Sequence, residues 1–101
     1  MFGKDITAQE AKMIIVEQNG ILLDIRTKEE YEERHIEGCE FIPLNVLGHQ
    51  IEDVIEDYDR PIILYCRSGQ RTKVAAVVLR ELGYTQLYDL GGMNNWFYNE
   101  K

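Results

Sequence analysis

Pro61-Ile62-Ile63-Leu64-Tyr65-Cys66-Arg67-Ser68-Gly69-Gln70-Arg71-Thr72 is the stretch on which the fold turns. The apolar run 61–65 reads as a buried strand. Residues 72–82 read as a helix that buries Val74, Ala75, Val78, Leu79 and Leu82, with Gly83 as its cap. Cys66 therefore stands where a strand ends, and Arg71 where a helix begins. The first turn of a helix has N–H groups without partners and a partial positive charge. A loop entering it is an anion cradle. A cysteine facing that cradle is favoured as thiolate, the nucleophilic form, so Cys66 is the candidate catalytic residue.

Strands and helices alternate on both sides of this stretch. Thr7 and Glu10 have capping-box spacing ahead of Ala11, Ile14 and Ile15, and Asn19-Gly20 closes that helix. Residues 21–26 are apolar until their end and read as a strand buried on both faces, the habit of parallel sheets. Thr27 and Glu30 repeat the capping box at the head of a short charged helix over 27–34. His35-Ile36-Glu37-Gly38 turns the chain into a short strand over 39–42 that Pro43 stops. A helix is expected over 46–58 on the stripe Ile51, Val54 and Ile55, with Gly48 its weak point. Asp59-Arg60-Pro61 is a turn. Residues 86–90 are the last strand, Gly91-Gly92 turns the chain, and a short final helix contains Trp96.

This order predicts α/β class: a single domain over 1–101 with an open, mainly parallel sheet of about five strands and helices on both faces. Ligands of such sheets bind beyond the carboxyl ends of the strands. Asp24, Arg26, Cys66 and residues 90–92 would gather there.

The net charge of −7 disfavours nucleic acid and anionic membrane as partners. Residues 1–60 carry 15 acidic and 6 basic side chains, whereas residues 61–101 carry 3 and 5, so the part containing Cys66 is locally basic and suits a small anion. No run approaches the roughly 18 apolar residues of a membrane span, and Met1-Phe2-Gly3-Lys4-Asp5 does not read as a secretory leader. Two cysteines, Cys39 and Cys66, make neither a disulfide framework nor a metal site. A reducing, cytoplasmic setting is expected. Nothing calls for a metal, nucleotide or flavin cofactor.

Taken together, these residues resemble a known family. Cys66-Arg67-Ser68-Gly69-Gln70-Arg71 is similar to the active loop of rhodanese-type sulfurtransferases. Leu23-Asp24-Ile25-Arg26 with Glu30-Tyr31, His35-Ile36-Glu37-Gly38 with Ile42-Pro43, and Leu90-Gly91-Gly92 with Trp96 resemble its other motifs, in the family's order. Arg34 and Cys39 depart from it, standing where the family usually has glycine and alanine.

The resemblance implies that Cys66 takes a sulfane sulfur from an anionic donor such as thiosulfate, carries it as a persulfide, and passes it to cyanide or a thiol. It implies that Arg67, Ser68, Gly69, Gln70, Arg71 and Thr72 form the loop that binds the donor and stabilises the persulfide.

The residues themselves add roles. Arg71 is placed to bind the anion, because a cation in a helix's first turn is otherwise disfavoured. Ser68 can donate to a sulfur anion, and Gly69 supplies a backbone conformation that other residues resist. Asp24 and Arg26 read as an ion pair or loop support, and His35 as a turn residue bonded to backbone. Cys39 reads as a small buried hydrophobe with room for a redox role. Trp96, with Phe97 and Tyr98, reads as core or pocket rim.

Three other functions compete with this reading, of which an interaction module expects the nucleophile to be missing, whereas Cys66 is present. The chain could be a sulfur carrier with a protein donor or acceptor, or an interaction module. It could also perform phosphate or arsenate chemistry, as do related enzymes whose loops have one residue more between cysteine and arginine.

Overall fold

The computed structural model describes residues 3–67, 69–93 and 96. Five strands form one sheet: β1 (Lys4–Asp5), β2 (Ile21–Asp24), β3 (Glu40–Phe41), β4 (Ile62–Cys66) and β5 (Leu87–Gly92). Their order is β1-β5-β4-β2-β3 and every pairing is parallel. The helices are α1 (Ala8–Gln18), α2 (Lys28–Glu33), α3 (Leu47–Val54) and α4 (Arg71–Leu82), with a 3-10 turn at Leu44–Val46 before α3.

Alternation along β4 divides the core between the two faces of the sheet. Ile62, Leu64 and Cys66 pack with Leu47 and Ile51 of α3 and Ala75, Ala76 and Leu79 of α4. Ile63 and Tyr65 pack with Ala8, Ala11 and Ile14 of α1, together with Ile36, Met93 and Trp96. Both capping boxes form. In the first, the Glu10 carboxylate accepts the Thr7 N–H at 2.9 Å and Thr7 Oγ1 accepts the Glu10 N–H at 3.2 Å. Asn19 closes α1 in the left-handed conformation at φ 58°. No helix among the described residues is long and apolar enough to cross a membrane.

Several elements differ from the sequence expectation. The strand expected over 21–26 ends at Asp24, because Asp24 and Arg26 bond to each other there. The strand expected over 39–42 is only Glu40–Phe41. The helix expected over 46–58 stops at Val54: Ile55 is extended, buried, and receives the Tyr84 hydroxyl on its carbonyl. Val54 itself is exposed.

On α4 the buried stripe is Thr72, Ala75, Ala76 and Leu79, at i, i+3, i+4 and i+7. It is turned toward Ala76, so Val74 lies outside it and is 53% exposed, while Val78 and Leu82 are half-buried. Gly91-Gly92 is not a turn but the end of β5, paired with Tyr65 and Cys66. Strand β1 carries no local signal; pairing with Tyr88 and Asp89 makes it. The final helix expected around Trp96, with Phe97 and Tyr98, falls largely outside the described residues, as does Ser68. Trp96 is buried against the α1 face.

Candidate active site

The carboxyl ends of β2, β4 and β5 lie side by side, with Asp24 opposite Tyr65, Tyr65 opposite Gly91 and Cys66 opposite Gly92. Cys66 is the last residue of β4 and is fully buried. The chain then turns through Gly69, whose φ is +90°. This conformation aims the Gly69 N–H back at Cys66 Sγ, to which it donates at 2.9 Å. A donor so placed favours negative charge on sulfur. Gly69 is held from its other side as well, since buried Thr72 donates its hydroxyl to the Gly69 carbonyl at 2.7 Å. Gln70 is exposed, has helical backbone angles and makes no side-chain cap for α4.

Arg71 opens α4 and forms a two-pronged pair with Glu30 of α2, at 2.7 and 3.0 Å. The Glu30 bonds raise the Arg71 pKa against an opposing effect of burial, and the charge of Cys66 adds to the rise. Glu30 also closes the second capping box, accepting the Thr27 N–H at 3.0 Å. Its carboxyl is held down at about 2, first by Arg71 and further by Thr27, against an opposing effect of burial. By spacing Glu30 reads as a cap and, with Tyr31, as part of a motif; neither reading points to a partner 41 residues away.

Asp24 and Arg26 form a buried ion pair at 2.8 Å. Burial works against the Arg26 charge, but the Asp24 bonds and charge outweigh it and the pKa is raised. The pair reaches in two directions. Asp24 accepts the Tyr65 hydroxyl at 2.7 Å, and Arg26 donates to the Arg34 carbonyl. The same Tyr65 oxygen accepts the Ile36 N–H at 3.1 Å. Tyr65, read from sequence as one more apolar strand residue, thus ties β2 and β4 to the turn after α2.

Arg67 is exposed and borders a cavity of about 260 Å³ with Arg26, Glu30, Glu33, Arg34 and Met93. His35 Nδ1 lies 2.8 Å from the Tyr31 carbonyl, and its ring stacks on Tyr31, away from any role as a base.

Residues 7–99 match the family described as the rhodanese-like domain. The chain belongs to that family. It is similar to the thiosulfate sulfurtransferase PspE of Escherichia coli strain K12, with 30% identity over 73 residues, 72% of this chain and 70% of PspE. It is similar to the thiosulfate sulfurtransferase GlpE of Coxiella burnetii, with 29% identity over 97 residues, 95% of this chain and 89% of GlpE. Among solved structures, a rhodanese from E. coli with anions superposes with a TM-score of 0.74 at 26% identity, covering 81% of this chain and 96% of that one.

Within this rhodanese-like domain the two departures from the family pattern are accommodated. Arg34 has φ −168°, extended backbone that needs no glycine. Cys39 Sγ sits 3.5 Å from the Tyr65 hydroxyl, and burial pushes its thiol up to about 11. Cys39 packs on the α1 face and Cys66 on the α4 face, so the sheet stands between the two thiols.

Two consequences can be measured. In Gly69→Ala a side chain must adopt φ +90°, with its Cβ 3.4 Å from Gly91 Cα. Strain of about 1–3 kcal/mol is expected, together with loss of the N–H bond to Cys66; urea unfolding and Cys66 alkylation rates read the two effects separately. The second consequence concerns acid. A carboxyl whose pKa falls on folding stabilises fully above its unfolded value and loses that contribution as pH falls through its folded value. The Glu30–Arg71 contribution is therefore present above pH 4.5 and lost as pH falls to about 2. Urea midpoints between those limits should fall more steeply in the parent than in Glu30→Gln; parallel curves would contradict the pair.

Proposed function

We propose that this chain is a single-domain sulfurtransferase that carries sulfane sulfur on Cys66. The observation that supports this most directly is the Gly69 N–H donating to Cys66 Sγ at 2.9 Å, at the N-terminus of a helix whose N-cap residue Gln70 makes no side-chain cap. The relatives named thiosulfate sulfurtransferases support thiosulfate as donor.

In the proposed reaction the Cys66 thiolate attacks the outer sulfur of thiosulfate. The sulfur–sulfur bond of the donor breaks, and sulfite leaves with the electron pair. Cys66 now bears a persulfide whose terminal sulfur is anionic. Cyanide or a thiolate attacks that sulfur, forming thiocyanate or a new persulfide and regenerating the Cys66 thiolate. N–H groups of the loop 67–71 stabilise the terminal sulfur, and Arg71, fixed by Glu30, supplies a positive charge that need not reorganise during the step. Arg67 steers the anion from the rim. Asp24 and Arg26 support the site by holding β2, Tyr65 and the turn after α2 in place. A thiol that works in this way belongs in a reducing compartment, consistent with a cytoplasmic location.

Intact mass after mixing with thiosulfate tests the proposal. The reduced protein should gain one sulfur, and cyanide should remove it as thiocyanate. If neither thiosulfate nor a persulfidated protein donor loads sulfur, the proposal fails. The short loop, with four residues between Cys66 and Arg71, fits one sulfur better than a tetrahedral oxyanion, so aryl phosphate should not be hydrolysed.

A further inference from the structure

Asp89 is a carboxylate in the interior of β5, only 7% exposed. Strand interiors disfavour aspartate, and burying a carboxylate costs free energy unless its oxygens are bonded. Lys73 gives little in return: it lies 3.7 Å from Oδ2 and its side chain is 72% exposed. The other oxygen is better used. Oδ1 accepts the Gly91 N–H at 2.8 Å.

That bond spans an irregularity in the sheet. Pairing of β4 with β5 steps from Leu64–Asp89 to Tyr65–Gly91, so Leu90 is passed over as a bulge, and Gly91 has φ +84°. The bulged backbone lies against the nucleophile loop. A Cβ on Gly69 would stand 3.4 Å from Gly91 Cα and 3.7 Å from Gly92 N. Asp89, Gly91, Gly69, Gln70 and Lys73 border one cavity of about 430 Å³.

We propose that Asp89 is a positioning residue: its carboxylate fixes the Gly91 bulge, the bulge seats Gly69, and the Gly69 N–H is thereby held on Cys66 Sγ. The proposal rests on the reading of Cys66 as nucleophile. It concerns geometry and not field, and the two have opposite signs. Removing a nearby negative charge eases thiol ionisation, whereas releasing the Gly69 N–H hinders it.

The experiment is the pH dependence of Cys66 alkylation by iodoacetamide, read by intact mass in a Cys39→Ala background, with the fold checked by circular dichroism and urea midpoint. Asp89→Ala and Asp89→Leu carry no acceptor for the Gly91 N–H and cannot hold the bulge. Their profiles should move to higher pH by about one unit, with alkylation at pH 7 about tenfold slower. Asp89→Asn keeps an acceptor oxygen and loses only the charge, so its profile should stay at the parent position or move slightly lower. Lys73→Met should match the parent. Folded Ala and Leu variants with unmoved or lowered profiles would overturn the proposal. So would an upward shift in Asp89→Asn, which decides the matter if Ala and Leu do not fold. Alkylation needs no sulfur transfer, so these profiles in a chain that moves no sulfur would sink the functional proposal alone.

Discussion

Cys66→Ser is expected to gain no sulfur from thiosulfate and to lose thiocyanate formation by on the order of a thousandfold or more. Oxygen is smaller than sulfur but can still accept the Gly69 N–H that now reaches Sγ at 2.9 Å, so the loop should close as before. What disappears is the chemistry. A serine hydroxyl is essentially un-ionised at neutral pH and cannot form the sulfur–sulfur bond on which the transfer depends. Matching urea midpoints for variant and parent would show that the loss is not one of folding. A variant still labelled by one sulfur would place the reaction at Cys39, the other thiol in the chain.

Asp24→Ala is expected to have the largest effect on stability, about 3–5 kcal/mol, because it strips the partner from a buried cation. Arg26 is 5% exposed and Asp24 0%, so water does little to replace the lost carboxylate. The Tyr65 hydroxyl loses its acceptor at the same time. Against a total of about 5–15 kcal/mol for a typical domain, this brings the chain close to unfolding at ordinary temperature. Removing the cation too, in Asp24→Ala with Arg26→Leu, should recover a large part of the loss. Urea unfolding of the two single variants and the double variant measures this. An Asp24→Ala midpoint equal to that of the parent would mean that the pair is not buried in solution.

Much of this architecture could be read residue by residue. The strand–loop–helix order around Cys66 was legible because apolar runs, glycines and the spacings Thr7–Glu10 and Thr27–Glu30 are local signals, and both capping boxes form. Features created by tertiary contact were not. Gly91-Gly92 has the composition of a turn, yet pairing with Tyr65 and Cys66 holds it in the sheet. Ile55 continues a helical stripe, but the Tyr84 hydroxyl on its carbonyl marks where the helix has ended. Val74 looks as apolar as its neighbours, but the small side chains of Ala75 and Ala76 set the face on which α4 settles. At the site, the cysteine and its loop stood out from neighbouring residue types alone. The partners did not: Glu30, bonded to Arg71, and Asp24, bonded to Tyr65, each act across 41 residues, which no spacing rule covers.

The two outer strands of the sheet, β1 and β3, have a further consequence. Each is two residues long, and between them Lys4, Asp5 and Glu40 place charge along both borders. A long, flat, apolar border invites another chain to add itself by backbone pairing, the first step toward aggregation. Here an arriving strand would find almost no ladder to extend and would have to bring its own side chains against ionised groups. The molecule is thus protected against self-templating at high concentration. Under the proposed function, a protein that exchanged sulfur with it would be directed away from strand addition and toward the loops around Cys66.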